Sequence, residues 1–197
     1  QFDHKEMHLN FSDPLIFGNE RPVYVELCSG NGQWIGEQAR KYPEINWVAV
    51  EMRFDRARKI WLKTFREEIP NLYVACAEGA AFLRYYVKAA SVTKSFVNFP
   101  DPWPKRCHGK HRLIWASFLQ LLGQAMKQEG VATMVTDDAP YRDQMIREFA
   151  KAGCWKPEFS APFFQTEWDS YGTSFFADLW KEKGREFFYM KYQNASH

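Results

Sequence analysis

The strongest constraint on this chain is a repeated alternation of two residue patterns. Short β-rich apolar runs occur at PVYVEL (22–27), NWVAVE (46–51), LYVAC (72–76), KSFVNF (94–99) and GVATMVT (130–136). Helical stretches follow each one: QWIGEQARK (33–41), RFDRARKIWLKTFREE (53–68), AAFLRYYV (80–87), LIWASFLQLLGQAMK (113–127) and APYRDQMIREFAKAG (139–153). In the second of these, Ala57, Ile60, Trp61 and Phe65 fall near helical spacing. Apolar strands alternating with helices build an α/β fold, with a doubly wound, mostly parallel sheet and helices on both faces. Beyond residue 153 the pattern turns antiparallel, with FFQTEW (163–168) and REFFYMKY (185–192) as the expected strands.

This architecture tells where chemistry collects. Crossovers in such sheets are right-handed, and ligands sit at the carboxyl ends of the strands where the strand order reverses. The loops at 28–32, 98–112 and 136–141 all follow expected strands, so they crowd onto one edge. At 197 residues the chain divides most simply into an N-terminal arm (1–20) and a single domain (21–197).

The first loop reads VELCSGNGQW, with Gly30 and Gly32 between a strand and a helix. Glycines there let backbone approach a ligand and take up conformations other residues resist. A dinucleotide site and an S-adenosylmethionine site both fit this spacing. Glu26, on the strand before the turn, favours the second, because a carboxylate suits an ammonium and opposes a pyrophosphate. Glu51 ends the next strand, where an acid takes the ribose hydroxyls of either cofactor. Glu78, after the third strand, suits either an adenine amino group or the start of the helix that follows.

The loop FPDPWPKRCHGKHR (99–112) cannot be helix interior or central strand, because its prolines remove donors and clash. Pro100, Pro102 and Pro104 stiffen it and present Asp101 beside Lys105, Arg106, Lys110 and Arg112, interleaved with His108 and His111. Net charge is only +2, so any attraction for a polyanion is local to this cluster. Four dispersed cysteines with no CxxC pair point to free thiols in a reducing, cytoplasmic setting and to no metal site. No apolar run approaches the ~18 residues of a membrane span.

Taken together, VELCSGNG, VAVE, FPDPWPK and VTDDAPY closely resemble the bacterial tRNA (guanine-N7-)-methyltransferase family, in order from about residue 22 to 142. The resemblance implies a class I methyltransferase with a seven-stranded sheet. Its donor would be S-adenosyl-L-methionine, leaving S-adenosyl-L-homocysteine. Its substrate would be N7 of the guanine at position 46 in the variable loop of tRNA. By matching positions it implies Glu26, Gly30, Gly32, Glu51, Glu78 and Asp101 on the cofactor side, with Asp101 also catalytic. Lys105 and Asp137 would lie on the substrate side, with Thr173, Ser174, Phe175 and Phe176 standing where the family meets its base. The chain departs from the family in having Cys28 for a glycine, Glu78 for the usual Asp, and no Glu in the 173–176 segment.

Guanine N7 carries a lone pair and no proton, so this reaction needs alignment and charge accommodation rather than a strong base. A rigid Asp101 suits the purine's developing positive charge. The neighbouring cations suit phosphates, and Trp103, His108 or Tyr141 suits an unpaired base. The expected partner is tRNA, with no membrane, and the protein itself a monomer or homodimer. Two other readings stand beside this one: a nicotinamide-dependent oxidoreductase, and a non-catalytic RNA-binding subunit that retains the methyltransferase fold.

Overall fold

A computed structural model describes residues 8–103, 106–172 and 182–196. Its strands are β1 (Val23–Leu27), β2 (Asn46–Glu51), β3 (Leu72–Cys76), β4 (Val92–Asn98), β5 (Met126–Thr136), β6 (Trp155–Pro157) and β7 (Phe188–Asn194). The helices are α1 (Gln33–Lys41), α2 (Phe54–Arg66), α3 (Gly79–Tyr86), α4 (Ala116–Ala125) and α5 (Ala139–Ala152). The strands form one seven-stranded sheet in the order β3-β2-β1-β4-β5-β7-β6. Pairing is parallel from β3 across to β5, and β7 runs antiparallel to both β5 and β6.

Strand alternation sends neighbouring residues to opposite cores. On β2, Val48 and Val50 join Phe82, Leu119, Leu122 and Phe149 in one core. Trp47 and Ala49 join Trp34, Ile35 and Ile60 in the other. Helix α2 departs from its sequence pattern. Ala57 and Ile60 are buried, but Trp61 and Phe65 are 54% and 78% exposed, with ring centroids 6.1 Å apart.

Two expected elements are redrawn. The helix expected over 113–127 shortens to α4 because Ile114 donates its backbone N–H to the Tyr141 hydroxyl at 3.2 Å and Trp115 is extended. Glu148 then accepts the N–H of Ala116 at 3.0 Å, starting the helix there. At the other end Met126 is extended and pairs with Val92, opening β5. The segment FFQTEW is not a strand; only Gln165 bridges to Tyr189. Its aromatics are used singly, Phe164 against Phe188 and Trp168 against Tyr171. The edge strand is Trp155–Pro157 instead, anchored by the Trp155 indole, which donates to the Leu119 carbonyl at 3.1 Å.

Residues 8–20, within the segment set apart as an arm, lie against the domain. Leu9 bridges to Val87, and Phe11 enters the core at 6% exposure. No helix among the described residues is long and apolar enough to cross a membrane.

Candidate active site

The strand order reverses between β1 and β4, so their carboxyl ends flank a crevice. A cleft of about 510 Å³ opens there. Its wall takes Cys28 from the end of β1, Glu51 and Met52 from β2, Glu78 from the turn after β3, and Phe99 to Asp101 from the turn after β4. Arg84, Lys110, His111 and Trp115 complete the rim. Glu51, Glu78 and Asp101 thus share one wall. Glu26, Gly30 and Gly32 adjoin that wall without lining it.

Glu26 is almost completely buried, at 2% exposure. Its Oε1 accepts an N–H from the Asn98 side chain at 2.7 Å, while Oε2 has no partner among the described residues. Burial pushes its carboxyl up to about 7, the Glu51 charge adds to the rise, and Asn98 and Ser29 oppose it. A buried, half-satisfied carboxylate is destabilising unless a cation meets it. The orphaned oxygen fits the ammonium of an amino-acid moiety.

Glu51 is tied down on both oxygens. Oε2 accepts the N–H of Gly30 at 2.8 Å and Oε1 that of Arg53 at 2.9 Å. Each carboxylate oxygen keeps a second lone pair, so hydroxyl donors can still be received. The same bond draws the glycine turn onto β2. Gly30 has φ +56 and open space where a Cβ would stand, while a Cβ on Gly32 would lie 2.6 Å from Ile60 Cγ1. Gly30 thus leaves room and Gly32 lets the turn pack on α2. Glu78 caps α3, accepting from Ala80 and Ala81 at 3.0 and 2.7 Å, while still facing the cleft.

Cys28 stands where the resemblance leads one to expect glycine, and its backbone is left-handed, φ 62. Its thiol reaches solvent but is crowded by protein on its other sides. That crowding first, and then the carboxylates of Glu51, Asp101, Glu26 and Glu78, push it up to about 12.

The proline loop is held from beneath. Arg112 donates through Nε to the Pro102 carbonyl at 2.6 Å and through Nη1 to Gln144 Oε1 at 2.5 Å. Its guanidinium lies 4.8 Å from the Tyr141 ring centroid. These contacts correct two expectations. Arg112 braces the loop rather than waiting for a phosphate, and Tyr141, at 0% exposure, is core rather than a stacking platform. Trp103 stays on the cleft wall, 37% exposed, with its ring 5.2 Å from that of His111. The loop holds left-handed backbone at Phe99 (φ 49) and Trp103 (φ 42), on either side of Asp101.

Asp137, at the end of β5, forms an ion pair with Arg185 and is not on the cleft wall. Lys105, Thr173, Ser174, Phe175 and Phe176 lie outside the described residues, as do the side chains of Arg106 and His108. Sequence reasoning missed Asn98, Tyr171 and the Arg112 brace. A signal existed for Asn98, a polar residue closing the strand directly after Phe96 and Val97.

A doubly wound seven-stranded sheet with β7 antiparallel between β5 and β6, and a carboxylate-lined cleft at its switch point, has the fold of the Rossmann-like methyltransferases. Two solved structures share this fold: the 16S rRNA methyltransferase KamB (TM-score 0.68, 16% identity, 93% of this chain and 94% of that one) and a SAM-dependent methyltransferase from Aquifex aeolicus (TM-score 0.63, 10% identity, 89% and 85%). Residues 20–166 match a family described as putative methyltransferase. The tRNA (guanine-N(7)-)-methyltransferase of Chlamydia caviae is 42% identical over 177 residues, 90% of this chain and 78% of that protein. Its counterpart in Chlamydia muridarum is 45% identical over 173 residues, covering 88% and 76%. The chain belongs to the tRNA (guanine-N(7)-)-methyltransferase family.

Proposed function

We propose that this chain transfers a methyl group from S-adenosyl-L-methionine to N7 of guanine in tRNA, at position 46 of the variable loop, in the cytoplasm. The observation that carries the reading is the wall of Glu51, Glu78 and Asp101 on one cleft at the switch point, with the buried Glu26 beside it keeping an unpartnered oxygen, in a member of this family. The donor supplies an electrophilic methyl on a sulfonium, so the protein's own task is placement. Glu26 receives the donor's ammonium on its free oxygen. Glu51 receives the ribose hydroxyls on lone pairs left over from its two backbone bonds. Glu78 meets the adenine amino group, and Gly30 and Gly32 keep the turn close.

Asp101 faces the target purine. N7 needs no deprotonation, but the ring gains positive charge as the bond forms. A carboxylate fixed in advance stabilises that charge without reorganising. The strained, braced loop supplies the fixity. Lys105, Asp137 and residues 173–176 belong on the RNA side, together with Lys110. Asp137 serves there once Arg185 turns to phosphate.

The test is transfer of labelled methyl to an unmodified tRNA transcript, with the product nucleoside mapped. Methylation at guanine 46 is expected, and Asp101→Ala should lower turnover roughly 10²–10³-fold with the fold intact. Label on another nucleoside overturns the substrate assignment. Full activity of the variant removes Asp101 from the chemistry, and binding of tRNA and donor with no turnover makes the protein a non-catalytic subunit.

A further inference from the structure

Glu26 does not stand alone under the cleft. The Asn98 side chain donates to its Oε1 at 2.7 Å, and the Tyr171 hydroxyl donates to Asn98 Oδ1 at 2.6 Å. Tyr171 comes from a distant part of the chain, a short 3-10 turn over Asp169–Tyr171. It is itself immobilised. Its ring stacks on Trp34 with centroids 5.3 Å apart and planes at 25°, and its carbonyl accepts the Trp34 indole N–H at 3.0 Å. Gly172 follows, where an added Cβ would stand 2.7 Å from Gln38 Nε2. Trp34 and Gln38 both belong to α1, the helix that the glycine turn opens.

A primary amide offers two nearly isosteric faces, one donating and one accepting. Turned the wrong way, Asn98 would set its carbonyl oxygen against the Glu26 carboxylate, and a buried repulsion would replace a charge-assisted bond. With the Tyr171 hydroxyl donating to its oxygen, the amide presents its N–H to Glu26. That leaves Glu26 Oε2 as the one open acceptor of the pair, at 2% residue exposure and without a partner among the described residues.

We propose that Asn98 and Tyr171 are positioning residues of the donor site. The Tyr171 hydroxyl fixes the Asn98 amide, and the amide turns Glu26 so that its second oxygen meets the donor's ammonium group. This inference rests on the donor reading above and adds two residues that touch neither the methyl nor the guanine. It has a specific signature, because only ligands bearing the amino-acid group should feel the chain of bonds.

The test is calorimetric titration of wild type, Asn98→Ala and Tyr171→Phe with two ligands. S-adenosylhomocysteine carries the amino-acid group; 5′-methylthioadenosine lacks it. For Tyr171→Phe, which keeps the stacked ring, the S-adenosylhomocysteine Kd should rise roughly tenfold. For Asn98→Ala it should rise roughly hundredfold, through loss of a bond to a charged group. Methylthioadenosine should bind both variants within about twofold of wild type, on the same scale. Equal weakening of both ligands assigns the residues to general structure and overturns the proposal. So does unchanged S-adenosylhomocysteine affinity in Tyr171→Phe, and that variant decides the matter if Asn98→Ala does not fold. A wild-type chain that binds neither ligand overturns the donor reading itself, and the inference with it.

Discussion

Glu26 concentrates the conflict between stability and function at a single residue. Its carboxyl rises from an ordinary 4.5 to about 7, chiefly through burial. Between those values the unfolded chain has released the proton and the folded one has kept it, so stability of the ligand-free protein falls as pH rises through this window and levels off above it. Glu26→Gln removes the buried charge. Urea melts should show it more stable than wild type by on the order of 1–3 kcal/mol at pH 8 and nearly equal at pH 4.5. The same substitution should abolish S-adenosylhomocysteine binding, since the ammonium loses its counter-charge. In wild type, affinity for that ligand should climb with pH up to about 7, as Glu26 ionises, and then hold. The four acids were legible in the sequence because each ends or follows a β-rich run, and strand ends in such a sheet face one edge. Their partners were not legible. Nothing in the composition of the 3-10 turn over Asp169–Tyr171 says that its tyrosine reaches Asn98, because that contact is made between segments 73 positions apart.

The elements themselves were readable wherever period and punctuation agreed. Helix α5 begins at Asp138, whose side chain accepts the Tyr141 N–H at 2.7 Å, carries a proline in its first turn, and stops at Gly153 in a left-handed conformation. The misread boundaries lie where tertiary contacts overrode local preference. Leu113 to Trp115 continue the apolar helical pattern but stay outside the helix, the Ile114 N–H bonded to Tyr141 and the Trp115 N–H to the Leu113 carbonyl, and Trp61 and Phe65 keep helical spacing while facing solvent. The proline loop was recognised as rigid, but its rigidity comes as much from Arg112 as from proline. A lysine carries its donors on one nitrogen, so it cannot span Pro102 and Gln144 as the guanidinium fork does, and it has no planar face for Tyr141. Arg112→Lys should therefore lower kcat roughly tenfold, in line with a misplaced catalytic group. Calorimetry should show S-adenosylhomocysteine affinity changed by less than about threefold, because the Glu26 and Glu51 seats are untouched. Equal losses in kcat and in ligand affinity would mean that the brace supports the whole cleft rather than Asp101.

At the scale of the molecule, the cleft joins the two halves of the sheet. Glu51 and Glu78 come from the β2–β3 side, and Asp101 from the β4 side. A ligand spanning both sides stabilises the folded chain as a unit. At a hundredfold excess over its Kd, S-adenosylhomocysteine should add about 2.7 kcal/mol and raise Tm by roughly 5–10 °C. NAD should leave Tm unchanged; a rise with NAD alone would favour the oxidoreductase reading. The class of fold was visible in the alternation of patterns, but the order of the last two strands was not, since antiparallel pairing leaves no crossover helix to mark it. That order bears on how the protein is made. Strand β7 follows the other six in sequence yet sits between β5 and β6, and among the described residues β6 has no other neighbour in the sheet. From completion of Thr136 until Phe188 emerges, roughly 3–10 seconds at ordinary translation rates, the ribosome carries a nascent chain whose β5 border is open to foreign strands. The protein's exposure to misassembly in the cell is therefore set by the timing of Phe188–Asn194.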